Sequence, residues 1–119
     1  MAPFDLIMSF LSDEELRLLI EHARTVSPEQ QAEAAERQKL YREKLEQARV
    51  DGLAPVSAEV QQLIVSLEQV TLEPFKSSPE IGEALWEVYG TEAFYEAWKE
   101  QAPDDSERIR FLQLAFKAF

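Results

Sequence analysis

Four serines, Ser12, Ser27, Ser57 and Ser78, each stand directly ahead of a stretch whose apolar residues recur at helical spacing, and this punctuation constrains the fold more than any other feature. In Ser12-Asp-Glu-Glu15 the serine hydroxyl can accept from the Glu15 amide while the Glu15 carboxylate reaches back to the Ser12 amide, a reciprocal capping box. Ser27-Pro-Glu-Gln30 repeats the device, with Pro28 at the first helical position, where a missing N–H leaves nothing unsatisfied. The spacing predicts a first firm helix over about 13–26, carrying Leu16, Leu19, Ile20 and Ala23 on its apolar face with Leu18 to one side. A long second helix then runs to about Asp51 and is closed by Gly52.

The second helix is poor in apolar residues. Ala34, Tyr41, Leu45 and Ala48 make a narrow stripe, while Glu33 with Arg37, Lys39 with Glu43 and Arg42 with Glu46 are spaced as i,i+4 ion pairs. Its pattern is that of a solvated helix touching the body along one edge; the stripe falls short of the sustained heptads of a coiled coil. After Gly52-Leu-Ala-Pro55, Ser57 caps a core helix with Val60, Leu63, Ile64, Leu67, Val70 and Thr71 on one wide stripe. Pro74 ends it near Leu72. Ser78-Pro-Glu80 begins a fourth helix that Gly90 stops, Thr91 to about Gln101 is a fifth, and Asp105 or Ser106 caps a sixth. The expectation is an all-α, single-domain bundle of about six helices over 1–119: an N-terminal arm at 1–11, two helices at 12–52 and an aromatic-rich helical core at 57–119.

Composition narrows the function. The net charge is −11, with 12 basic and 23 acidic side chains, so the phosphate-neutralising surface of a nucleic-acid binder is missing and an anionic membrane would repel the chain. Basic partners or cationic small molecules are favoured instead. No cysteine is present, which excludes disulfides, thiolate metal sites and a cysteine nucleophile, and suits a reducing, cytoplasmic setting. Met1 to Leu11 contains Asp5 and Ser9 and has no basic n-region, so it is not read as a signal peptide, and no apolar run reaches the length of a membrane span. A single histidine, His22, is read as a surface or helix-edge residue. Asp104-Asp-Ser-Glu107 lacks the alternating ligands and central glycine of a calcium loop and reads as a helix cap. No pattern fixes a carboxylate pair or a nucleophile, so the chain is read as a non-enzyme with no metal and no cofactor.

Nine of the twelve aromatic residues lie between Phe75 and Phe119. In the fourth helix Ile81, Ala84, Leu85 and Val88 form one core stripe, yet Gly82, Trp86 and Tyr89 form a second apolar face rotated away from it. A glycine in a helix interior costs up to about 1 kcal/mol relative to alanine, so Gly82 implies that a backbone or a ligand comes close. The next helix adds Phe94, Tyr95 and Trp98, and the last adds Ile109, Leu112, Phe116 and Phe119. Trp86, Tyr89, Tyr95 and Trp98 have polar tips suited to a half-wet pocket and are the candidate ligand-stacking residues. Glu83 or Glu87 would bias a ligand toward positive charge, and Tyr41 would close one edge.

Leu11-Ser-Asp-Glu-Glu-Leu16, the long charged helix, Ser57-Ala-Glu-Val-Gln-Gln-Leu63, and Ser78-Pro-Glu-Ile81 through Leu85 to Tyr89 resemble the TipAS-type effector domain found behind the DNA-binding domain of some MerR-family transcription regulators. The resemblance implies a globin-like helical arrangement and an aromatic-lined cleft that encloses large hydrophobic antibiotics. It also places Leu67 where a tryptophan of the third helix is usual, and finds no counterpart of the cysteine with which some members capture thiopeptides. What it implies is reversible binding of a bulky hydrophobic or cationic compound, by a stand-alone domain or a piece of a longer regulator. The alternative from another class is a helical module in which the same aromatics bury against a partner protein or a second copy in a homodimer.

Overall fold

A computed structural model describes residues 3–119, with side chains from Asp5 onward; Phe4 lies outside the described side chains. Among the described residues the chain forms seven α-helices and no strand. They are α1 (Pro3–Ser9), α2 (Asp13–Ala23), α3 (Pro28–Val50), α4 (Ala58–Leu72), α5 (Pro79–Val88), α6 (Glu92–Gln101) and α7 (Ser106–Ala118). Two 3₁₀ turns, Glu73–Phe75 and Pro103–Asp105, connect α4 to α5 and α6 to α7. The first helix is one more than the punctuation predicts: within the arm Pro3–Ser9 is helical, with Leu6 and Ile7 buried against α5 and α6.

Both capping boxes form as the sequence dictates. Ser12 Oγ accepts from the Glu15 amide at 3.1 Å while Glu15 Oε1 accepts from the Ser12 amide at 2.9 Å, and Ser27 with Gln30 does the same at 3.1 and 3.2 Å. Ser57 accepts from the Val60 amide, whereas Ser78 makes no side-chain cap and α5 relies on Pro79 at its first turn. The predicted first helix stops earlier than Val26, at Ala23, because Thr25 bonds its hydroxyl to the His22 carbonyl and Gln31 reaches back from α3 to the Ala23 and Val26 carbonyls at 3.1 Å each. Gly52, at φ +82°, ends α3 in the left-handed conformation that glycine adopts without a Cβ penalty.

α3 is 23 residues long, about 35 Å, and only its C-terminal half is anchored: Leu45 and Ala48 are buried, while Ala34 and Tyr41 are half-covered. Its main partner is α4, whose Val60, Ile64, Leu67 and Thr71 enter the same core as Ile81, Leu85, Phe94, Ile109 and Leu112. Gln61 ties α4 to α7 by donating to the Ala115 carbonyl at 3.0 Å. Of the i,i+4 pairs written into α3, Lys39 and Glu43 meet at 4.0 Å, but Glu46 turns to Arg49 at 2.6 Å instead of Arg42. None of the described helices is long and apolar enough to cross a membrane.

Gly82 has a clear reason. A Cβ built there would lie 3.0 Å from Phe75 Cβ and 3.1 Å from Leu72 Cδ2, so the 3₁₀ turn is seated directly on the α5 backbone. The close neighbour is a turn of the chain itself. In Gly82→Ala the better helix propensity of alanine, about 1 kcal/mol, is outweighed by overpacking that typically costs about 1–3 kcal/mol. The variant should unfold at lower urea with an unchanged m-value; a raised midpoint would mean that the turn does not sit on Gly82.

Candidate ligand-binding groove

The aromatic residues of the C-terminal half interlock. Tyr89 stacks on Phe116 with ring centroids 5.2 Å apart and planes 12° apart, and Trp86 lies 5.6 Å from Tyr89 and 5.2 Å from Phe116. Phe94 meets Tyr95, Tyr89 and Trp98 at 5.1, 5.5 and 5.6 Å, and on its other side takes the edge of Phe10 at 6.1 Å. Such pairs contribute about 0.5–1.5 kcal/mol each beyond the area they bury. The cluster thus consumes most of the aromatic excess as packing, joining α1, α5, α6 and α7.

The expected ligand-stacking residues separate within it. Tyr95 is 2% exposed, and its hydroxyl donates to the Tyr89 carbonyl at 2.7 Å, satisfying one of the carbonyls that the end of α5 leaves open. Trp98 is buried, with the Arg108 guanidinium 5.7 Å over its ring. Trp86 is half-buried behind Tyr89, Leu67 is core, and Glu83 and Glu87 stand in solvent on the opposite side of α5 from its buried stripe. Tyr41 packs at the core edge under the Lys44 ammonium, 5.1 Å from the ring. Tyr89 alone of this set borders the main groove of the molecule.

That groove, about 600 Å³, runs along the inner side of the α2–α3 arm. Ile7 and Met8 of α1, Ile20 and Ala23 of α2, Val26 of the α2–α3 connection and Ala34 of α3 make its walls, with Phe75 and Tyr89 as an aromatic floor. Gln30, Gln31, Gln38 and Arg42 supply polar atoms at the rim. Ile20 is 52% exposed, an apolar side chain left uncovered at the mouth. The groove exists because Gln31 pins the α2–α3 corner while the N-terminal half of α3 stands away from the body. Its volume falls in the range of sites for drug-sized ligands, which are largely apolar with a few placed polar groups.

His22 corrects the surface reading. It is 8% exposed, stacked 4.8 Å from Phe75, and its Nε2 lies 2.8 Å from the Pro74 carbonyl oxygen. A carbonyl only accepts, so Nε2 carries the proton. His22 therefore fixes the 3₁₀ turn from the α2 side as Gly82 receives it from the α5 side, and together they set the position of Phe75 in the groove floor.

The TipAS antibiotic-recognition domain model matches residues 9–119, beyond the span from Leu11 to Tyr89 that carried the resemblance. The chain belongs to the TipAS family. Comparison with curated proteins and with solved structures gave no match. TipAS is a ligand-recognition domain, not a catalytic family, and it occurs in MerR-family regulators. In this TipAS domain the floor residue Tyr89 was legible from its place on the second face of α5. Ile20, Val26, Phe75, His22 and Arg42 were missed. The one usable signal was the pair Leu18 and Ile20, which with Leu16 and Leu19 are too many apolar residues for an 11-residue helix with a single core face.

Burial pushes the Tyr89 hydroxyl up from its ordinary 10.0, with Arg42 pulling the other way, and burial together with the neighbouring Tyr89 charge also pushes the Tyr95 hydroxyl well up. A raised folded-state pKa contributes stability that is intact below the unfolded value and is lost as pH rises above it. Urea stability should therefore fall beyond about pH 10, by up to about 1.4 kcal/mol per pH unit for each buried tyrosine. Tyr95→Phe should cost about 1–2 kcal/mol at neutral pH by stranding the Tyr89 carbonyl, yet show a shallower alkaline decline than wild type. Equal slopes for the two proteins would contradict the burial of Tyr95.

Proposed function

We propose that this TipAS domain binds a bulky, hydrophobic and predominantly neutral compound reversibly in the groove between α1, α2 and the N-terminal half of α3, as the effector-binding part of a transcription regulator. The observation that carries the proposal is the apolar lining left open at Ile20, Ala23, Val26 and Phe75, backed by the buried Ile7, while the aromatic residues of the C-terminal half interlock. Tyr89 and Phe75 form the stacking surface, and Trp86 supports Tyr89 from behind at 5.6 Å. Gln30, Gln31 and Gln38 offer amide donors and acceptors to a ligand rich in peptide-like groups, which suits a macrocyclic antibiotic. The lining holds no carboxylate, and Arg42 is its only formal charge. Selection of a cationic ligand by Glu83 or Glu87 has no support from the groove, because both stand outside it. Binding makes and breaks no bond; the chain has no cysteine for covalent capture.

A calorimetric panel of hydrophobic macrocyclic peptide antibiotics tests this, with mass followed by light scattering. At least one compound should bind a monomer with 1:1 stoichiometry. Ile20→Glu, at an exposed position where stability changes by no more than about 0.5 kcal/mol, should weaken that binding roughly tenfold or more. Undiminished affinity in Ile20→Glu, or binding that appears only as a dimer dissociates, would overturn the assignment and favour a helical interaction module.

A further inference from the structure

The C-terminal half of α3 passes the start of α7 with a second groove between them, about 520 Å³, edged by Trp98 of α6. Its charge runs against that of the chain. Three cations line it, Lys39, Arg42 and Arg108, against two carboxylates, Glu43 and Glu46, in a protein of net charge −11. Both carboxylates are already engaged. Arg49, from outside the lining, holds Glu46 with Nη2 and Nε at 2.6 and 3.0 Å, and this hydrogen bonding keeps the Glu46 carboxyl below its usual range and ionised. Glu43 faces Lys39 at 4.0 Å. Among the described residues Arg42 has no ion pair.

Arg108 is the most unusual of the three. Its guanidinium lies 5.7 Å over the Trp98 ring, its Nη2 reaches Asp105 only at 3.3 Å, and among the described residues no acceptor meets its enclosed Nε. A buried donor without an acceptor costs about 1–3 kcal/mol, so the side chain is held flat by the ring with its hydrogen-bonding capacity largely unspent. Beside it the floor is apolar: Phe111 and Leu112 from α7, with Val50 at the mouth 63% exposed. A planar cation next to the exposed Val50, with the edges of the largely covered Phe111 and Leu112 behind it, matches a ligand with an aromatic body and one negative charge. The lining exceeds neutrality by one positive charge, and the field of an acidic chain disfavours a dianion.

We propose that this groove is a second small-molecule site, selective for aryl carboxylates, with the ring on Val50, Phe111 and Leu112 and the carboxylate against Arg108 and Arg42. Guanidinium and carboxylate match in planar, bidentate geometry, which gives the site its preference over neutral analogues. It is separate from the groove along the α2–α3 arm, though Arg42 borders both.

Titration of the whole chain with 2-naphthoate, 2-naphthamide and 2-naphthylmethylamine, followed by amide and indole NMR shifts, tests the proposal. Naphthoate should give saturable shifts at the Trp98 indole N–H and at Val50, and bind roughly tenfold or more tightly than the amide or the amine. Arg108→Gln should remove that preference, and Arg110→Gln, a change of the same charge at an exposed α7 residue outside the lining, should retain it. Val50→Glu, at an exposed position that the fold tolerates, should weaken naphthoate similarly, which keeps the test intact if Arg108→Gln loses its helical circular dichroism. Equal affinity for naphthamide, shifts confined to Ile20 and Phe75, an effect of Arg110→Gln as large as that of Arg108→Gln, or no shift at millimolar naphthoate would each overturn the second site.

Discussion

The contact on which the rest of the structure depends is the seating of the Glu73–Phe75 turn against α5, where Gly82 lets Phe75 Cβ and Leu72 Cδ2 approach to within 3.0–3.1 Å of where a Cβ would stand. That approach brings α4 and α5 together at their junction. It also presents the Pro74 carbonyl to His22, so that α2 is held to the same turn by one 2.8 Å hydrogen bond and one ring contact at 4.8 Å. Three helices thus converge on three residues. Phe75 faces the groove as a consequence, and the floor of the proposed ligand site is as rigid as the junction that carries it.

The aromatic cluster has the complementary role. Residues with polar tips are often taken for pocket walls, but the hydroxyl of Tyr95 is used inside the protein, on the Tyr89 carbonyl that caps α5, and Trp98 is covered by Arg108. Packing of Phe94, Tyr95, Phe116 and their neighbours joins the last three helices to α1, so the body behind the groove needs no help from α3 beyond Leu45 and Ala48. Freed from the core, the first half of α3 can stand off and leave the apolar surfaces of α2 uncovered. A binding site follows from an imbalance between a fully satisfied C-terminal body and an under-packed N-terminal arm.

How much of this was legible follows from the range of the interactions. Capping boxes at Ser12 and Ser27 and the left-handed Gly52 are local, and the helices they bound were readable to within a few residues. α1 was not, because Pro3 and a short apolar run carry no cap, and its helix is fixed by burial of Leu6 and Ile7 against distant segments. The second face of α5 was readable as an anomaly from Gly82, Trp86 and Tyr89, but periodicity cannot say whether a turn, a ring or a ligand covers it. Burial of His22 depends on where α2 lies relative to the 3₁₀ turn, a long-range fact with no local trace, and the uncovered state of Ile20 left only a surplus of apolar residues in α2. The family resemblance reached the right class of domain, which the match over residues 9–119 now shows, without indicating which aromatics remain free.

The central claim is that a TipAS-type ligand is held by the α2–α3 arm and the turn beneath it, with the aromatic cluster as support behind. The most direct measurement is a set of isotope-filtered NOEs between an unlabelled bound macrocyclic antibiotic and the methyl and ring protons of the labelled domain. The account predicts contacts to Ile7, Ile20, Val26 and the Phe75 ring, with the Trp98 indole silent. Contacts confined to Trp86, Phe116 and Phe119, with none to Ile20 or Phe75, would contradict it.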